Sequence, residues 1–107
     1  NVEGPVDRSA GFTAFQAACL PLFHERDIAM LGSDTGNDVG PAQYVKPASP
    51  IHQVSITAMG IWILDNADLE EVAQACRQRN RWEFLISIGP LALHNTTGSP
   101  VNPMAVF

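Results

Sequence analysis

Lysine is almost missing from this chain. One lysine, Lys46, and five arginines stand against 11 acidic residues, a formal net charge of -5. So few scattered cations form no basic patch, which argues against a nucleic-acid partner, whose phosphates demand one. Long apolar runs are also missing. None exceeds four residues, as in Ile61 to Leu64, far short of the roughly 18 that a bilayer span requires, so no membrane partner is expected. The opening "NVEGPVD" carries neither a leader pattern nor a methionine. The expectation from this opening is a chain cut from something longer or one whose beginning is missing. Cysteine is scarce as well. The two thiols, Cys19 and Cys76, make no disulfide framework and are expected to be free and buried in helices, which points to a cytoplasmic setting. P-loop, dinucleotide and nucleophile-elbow motifs are absent, and no serine shows a cue pairing it with a base.

What remains is an ordinary globular composition, 46% apolar over 107 residues, enough for a single domain over 1–107 with a real core. Ser9 could cap a helix from Ala10, with Phe12, Phe15, Cys19 and Leu22/Phe23 on one face and a kink or restart at Pro21. Unbroken apolar runs at Ile28–Leu31 and Ile61–Leu64 predict strands buried on both faces, Trp82–Ile88 predicts a third strand, and Trp62 and Trp82 are expected in the core. Leu91 to Leu93 could extend the third after a bend, and "MAVF" predicts a short last strand. Pro50 suits the first turn of a helix over Ile51–Met59, although its β-branched residues also fit a strand. Asp68 and Glu71 form a capping box for a helix to Arg79, whose arginines suit the helix C-terminus. Helices alternating with apolar strands predict an α/β class with a substantially buried sheet.

The stretches "GSDTGNDV", "PIHQVSITAMGIWILDNADLEEVA", "RWEFLISIGPLAL" and "TGSPVNPMAVF" occur in this order. Together they resemble the C-terminal part of the cyclase family of metal-dependent hydrolases, which includes bacterial kynurenine formamidase and isatin hydrolase. The resemblance runs from Phe12 to Phe107 and implies part of a swivelling β/β/α fold, with Phe107 the natural C-terminus. It also exposes a gap. The family signature, H-x-G-T-H-x-D with a further histidine, has no match among His24, His52 and His94. The implied chain is therefore the later portion of such an enzyme, without most of the metal ligands.

His52 matches the family histidine that opens this segment. The resemblance implies a metal-side or substrate-side role, catalytic or as a ligand, and a neutral imidazole suits zinc or manganese. A histidine hydrogen-bonded within a loop is the alternative. Asp65 stands where many members carry a metal-ligating glutamate. Its alternative is to cap the following helix together with Asn66. A strand end followed by a helix start is nevertheless where α/β proteins place ligands. Thr96 to Asn102 resembles a family segment, and the preferred reading is a tight turn before the last strand. Asp34 and Asp38 lie in a Gly-rich loop without the ligand spacing of a calcium site, and solvated side chains are expected there.

The resemblance thus implies a divalent metal, zinc or manganese, only where the missing ligands are supplied. It implies a small-molecule substrate with an amide, lactone or cyclic imide bond. The absent part of the fold implies a homo-oligomer or a chain carrying the missing portion. The other reading is a non-catalytic α/β interaction domain.

Overall fold

The first helix starts later than the spacing of its apolar residues suggests. In the computed structural model, which describes residues 11–42 and 44–107, a 3-10 turn over Ala17–Cys19 leads into α1, Leu20–Glu25. The expected cap at Ser9 and start at Ala10 lie outside the described residues. Phe12 and Phe15 are not helical. Phe12 makes an antiparallel bridge to Gly40 and Phe15 a parallel bridge to Asp38. Pro21 falls in the first turn of α1, where a missing N–H removes no intrahelical bond, so it begins this helix rather than kinking a longer one. Gly40 is needed for the first bridge, because a Cβ there would come within 2.3 Å of the Phe12 ring.

The chain divides into two compact units, Asn1–Asp68 and Leu69–Phe107. In the first, β1 (Met30–Gly32) and β2 (Trp62–Leu64) pair in parallel, with Met30 opposite Trp62 and Gly32 opposite Leu64. Between them in sequence runs α2, Pro50–Thr57, with Pro50 in its first turn as expected. α2 packs on β2, and α1 packs on α2. The core they enclose is Phe23, Leu31, Ile51 and Ile61, with Phe15 edge-on to Phe23 at 5.4 Å between ring centroids.

In the second unit, α3 spans Glu70–Arg79. Its N-cap is Leu69, without a side-chain cap hydrogen bond, so the expected box from Asp68 and Glu71 is out of step by one residue. Glu70 and Glu71 in the first turn and Arg77 and Arg79 in the last still complement the helix dipole. Asn80, left-handed at φ 46°, ends the helix. β3 (Leu85–Ser87) pairs antiparallel with β4 (Met104–Val106). Phe107 packs on Phe84 at 5.2 Å and lies beneath the Arg79 guanidinium at 4.8 Å.

This mix of helices and strands, with one parallel pair joined through a helix, is consistent with the α/β class. The buried sheet is not observed. The described strands form two separate two-stranded sheets. β3 and β4 are exposed at every residue, Leu91 to Leu93 lie outside any strand, and Trp62 and Trp82 are 72% and 65% exposed. A two-stranded ribbon has no interior of its own, so its apolar side chains stay in solvent unless another element covers them. Both cysteines are free as expected. Cys76 is buried in α3, and Cys19 is partly exposed at the end of the 3-10 turn. No helix among the described residues is long and apolar enough to cross a membrane.

Ile51, fully buried, and Ile56, 51% exposed, lie on the same helix and give a matched test of this core. Ile51→Ala should destabilise the protein by about 2–4 kcal/mol, and Ile56→Ala by no more than about 0.5 kcal/mol, read as shifts in the urea midpoint. Equal losses would mean that α2 does not bury the Ile51 face.

Candidate functional site

The parallel pair ends at Gly32 and Leu64, and the two chains stay joined beyond the strands. Ser33 donates its backbone N–H to Leu64 O (3.1 Å), Asn66 to Thr35 O (2.9 Å) and Ala67 to Ser33 O (2.9 Å). Asn66 takes a left-handed φ of 55°, a conformation asparagine tolerates better than most residues, and this turns the chain away just after Asp65. The outcome places the Ser33–Asp38 loop beside Asp65 at the carboxyl ends of β1 and β2. On the other side of that loop, Phe15 donates to Asn37 O and Val39 donates to Phe15 O, both at 3.1 Å, which holds the backbone on either side of Asp38.

His52 arrives from the first turn of α2. The nominal cap, Ser49, makes no side-chain cap hydrogen bond. The capping oxygens come instead from Asp38. Its Oδ1 accepts the Ile51 N–H at 2.7 Å and its Oδ2 accepts the His52 N–H at 3.1 Å. These are two of the donors that a helix start leaves without an intrahelical partner. The same Asp38 Oδ2 lies 2.5 Å from His52 Nδ1. On the far edge of the ring, His52 Nε2 lies 2.7 Å from Asp65 Oδ2. Asp65 Oδ1 in turn accepts the Asn37 backbone N–H at 2.9 Å and the Asn37 side-chain amide at 2.7 Å. Asn37 is fully buried and also donates to Leu64 O at 3.1 Å, while its Oδ1 finds no partner among the described residues.

The imidazole is thus held between two carboxylates. Burial alone would lower its pKa, but hydrogen bonds to Asp65 and Asp38, with their charges, outweigh that and raise it above the ordinary 6.5. For Asp65, burial alone would raise the pKa. The His52 hydrogen bond, the two Asn37 donors and the imidazolium charge prevail and lower it below the ordinary 3.8. The imidazole and its two flanking carboxyl groups have side-chain exposures of 32% for His52, 13% for Asp38 and 33% for Asp65.

Of the residues singled out in the sequence, His52 and Asp65 come together directly. The helix-cap alternative for Asp65 and Asn66 is overturned, because α3 begins at Glu70 with Leu69 as its cap. Asp38 is the residue that sequence reasoning missed. It was expected to be solvated, yet its carboxylate is among the least exposed polar groups of the site. The available signal was a helix start whose own cap needed a carboxylate, and nothing local pointed 14 residues upstream. Asp34 is exposed, as expected. His24 and His94 are also exposed. The turn falls at His94 and Asn95, ahead of the expected 96–102 segment, which is irregular and whose Ser99 Oγ accepts the Leu91 N–H at 2.8 Å.

No three donor side chains among the described residues converge as metal ligands. The reason is visible in the geometry: His52 stands between its carboxylates rather than beside them. The pair His52 Nε2 and Asp65 Oδ2 nevertheless fits as two donors of a larger set. The second ring nitrogen is already engaged by a carboxylate, as in most metal-bound histidines. Two donors sharing a tetrahedral zinc lie about 3.4 Å apart, so the present 2.7 Å contact would have to open slightly and lose its proton.

No family model matches the chain. No curated protein matches it. Among solved structures it is similar to one titled the crystal structure of a novel cyclase, at 30% identity and a TM-score of 0.79. The match covers 96% of this chain and 34% of that one, so the chain spans about a third of that structure's length. The likeness supports a cyclase-family fold for this chain.

The two shifted groups make a pH prediction. Because the folded pKa of His52 is raised, its stabilisation is present in full below pH 6.5 and is lost as pH climbs through the raised value. Because that of Asp65 is lowered, its share is present above pH 3.8 and is lost as pH falls through the lowered value. Stability should therefore be greatest between pH 3.8 and 6.5 as far as this pair is concerned. His52→Gln should flatten both limbs of a plot of urea midpoint against pH. An unchanged alkaline limb in that variant would show that His52 does not titrate in contact with its neighbours.

Proposed function

We propose that this chain is the C-terminal part of a metal-dependent hydrolase of the cyclase family, cleaving an amide, lactone or cyclic imide bond in a small molecule. The observation that carries the reading is the Asp38–His52–Asp65 cluster at the carboxyl ends of two parallel strands, in a chain similar to a cyclase. Such strand ends are where open α/β sheets bind ligands. In the complete fold, of the swivelling β/β/α kind, His52 Nε2 and Asp65 Oδ2 would hold zinc or manganese with ligands from outside this segment. A divalent ion at such a site supplies Lewis-acid polarisation of a carbonyl and an activated water.

The chain's own residues do the rest. Asn37 fixes Asp65 through two hydrogen bonds and leaves its Oδ2 turned to the imidazole. The raised pKa of His52 favours a hydrogen at Nε2 toward Asp65 Oδ2, and that hydrogen must leave before Nε2 can hold a metal. With only two candidate ligands, this segment by itself should bind zinc or manganese weakly and hydrolyse no aryl formamide measurably. Isothermal titration with zinc should show binding that His52→Ala abolishes and His24→Ala leaves intact, His24 being exposed at the end of α1 and far from both carboxylates in the hydrogen-bond network. Equal affinities for wild type and His52→Ala would remove His52 from any metal site.

One observation favours a second reading, an α/β interaction module. β3 and β4 hold Leu85, Ile86, Met104 and Val106 at 69%, 46%, 60% and 54% exposure. Apolar side chains exposed on both faces of a short ribbon mark surfaces that another element covers. The occupant proposed is further polypeptide of the kind that makes up the unmatched remainder of the similar cyclase structure. The chain on its own should then self-associate through this ribbon. A clean monomer mass in light scattering at micromolar concentration, with a cooperative melt, would contradict that.

A further inference from the structure

We propose that Asp38 is a positioning residue for His52: its carboxylate fixes the ring so that Nδ1 keeps its hydrogen and Nε2 is the nitrogen left free to face Asp65. The inference rests on the hydrolase reading for its use, but not for its geometry. One oxygen, Asp38 Oδ2, meets both the backbone N–H of His52 and its ring Nδ1, at 3.1 Å and 2.5 Å. The ring cannot rotate about its own side chain without leaving an acceptor that its main chain still holds. The other oxygen is committed to the Ile51 N–H. Asp38 itself cannot drift, because the backbone on either side of it pairs with Phe15.

The position thus accepts hydrogen bonds and offers none, so the nitrogen beside it must carry a hydrogen. Asp65 competes for the ring from the other edge. Its Oδ2 is not tied to the main chain of His52, its contact is longer at 2.7 Å, and its side chain is more exposed at 33% against 13%. The Asp65 edge is therefore the looser of the two. That side is the one where a ligand or substrate would approach, and a carboxylate on the opposite ring nitrogen typically sets an imidazole's tautomer and orientation.

Asp38→Asn keeps the cap on the Ile51 N–H and removes the oxygen shared by the His52 N–H and Nδ1. The asparagine oxygen can still accept the Ile51 N–H, while its amide turns a donor toward Nδ1 and makes that nitrogen the acceptor. Histidine side-chain 1H–15N correlation spectra of the metal-free chain, recorded with the imidazole neutral, should place the His52 hydrogen on Nδ1 in wild type and on Nε2 in Asp38→Asn. His24 and His94 should be unchanged. On titration with zinc chloride, the His52 ring signals of the variant should respond with about tenfold or more weaker affinity than wild type. A wild-type hydrogen on Nε2 overturns the proposal even if the variant fails to fold. The same tautomer in both proteins also overturns it, and leaves Asp38 a helix cap. If zinc moves no His52 nitrogen in wild type, the metal reading fails, and the tautomer result still decides the role of Asp38.

Discussion

Three residues from each of β1 and β2, held in parallel register, decide where every group of the site sits. Parallel pairing brings two carboxyl strand ends to the same edge, and the hydrogen bonds beyond them join the Ser33–Asn37 loop to the Leu64–Ala67 turn. Asp65 emerges from one side of that junction, and Asn37 and Asp38 emerge from the other. A slip of one residue in this register would turn Asp65 to the opposite face and separate it from Asn37. The site is therefore a property of the strand pairing before it is a property of any one side chain.

The helix completes it through an unmet need. Every helix start leaves backbone N–H groups without partners, and α2 begins with a serine that does not serve them. Asp38 does so from a distant loop, and in doing so lies against His52. Packing of Ile51 into the core keeps the helix at that place and angle. Local capping, core packing and site geometry are thus one arrangement. A carboxylate that stabilises the helix start also fixes the orientation of the imidazole three positions into the helix.

The second unit behaves differently. Its helix has a dipole-matched charge pattern and a left-handed asparagine at its end, and Arg79, Phe84 and Phe107 form a small cluster. Its ribbon, however, leaves its apolar residues in solvent. Sequence patterns that read as buried strands, such as Phe84 to Ile88, report that a segment is apolar. They do not report whether the surface that buries it belongs to the same stretch of chain.

That difference separates what the sequence determined from what only tertiary structure decided. The types of α2, α3, β2 and β4 followed from local signals: Pro50 near a helix start, arginines at a helix C-terminus, and short apolar runs. These signals act over a few residues, so they survive in any context. His52 and Asp65 were marked out by the resemblance to the cyclase family, in which they match a histidine and a glutamate position. The fate of Phe12 and Phe15, the exposure of Trp62 and the role of Asp38 were not legible. Helical spacing of Phe12 and Phe15 was overridden by backbone pairing with residues some two dozen positions away. Asp38 met its helix because a parallel register and a loop carried it there. Long-range pairing brings together groups that no local propensity connects, and here it is what made a site out of scattered polar residues.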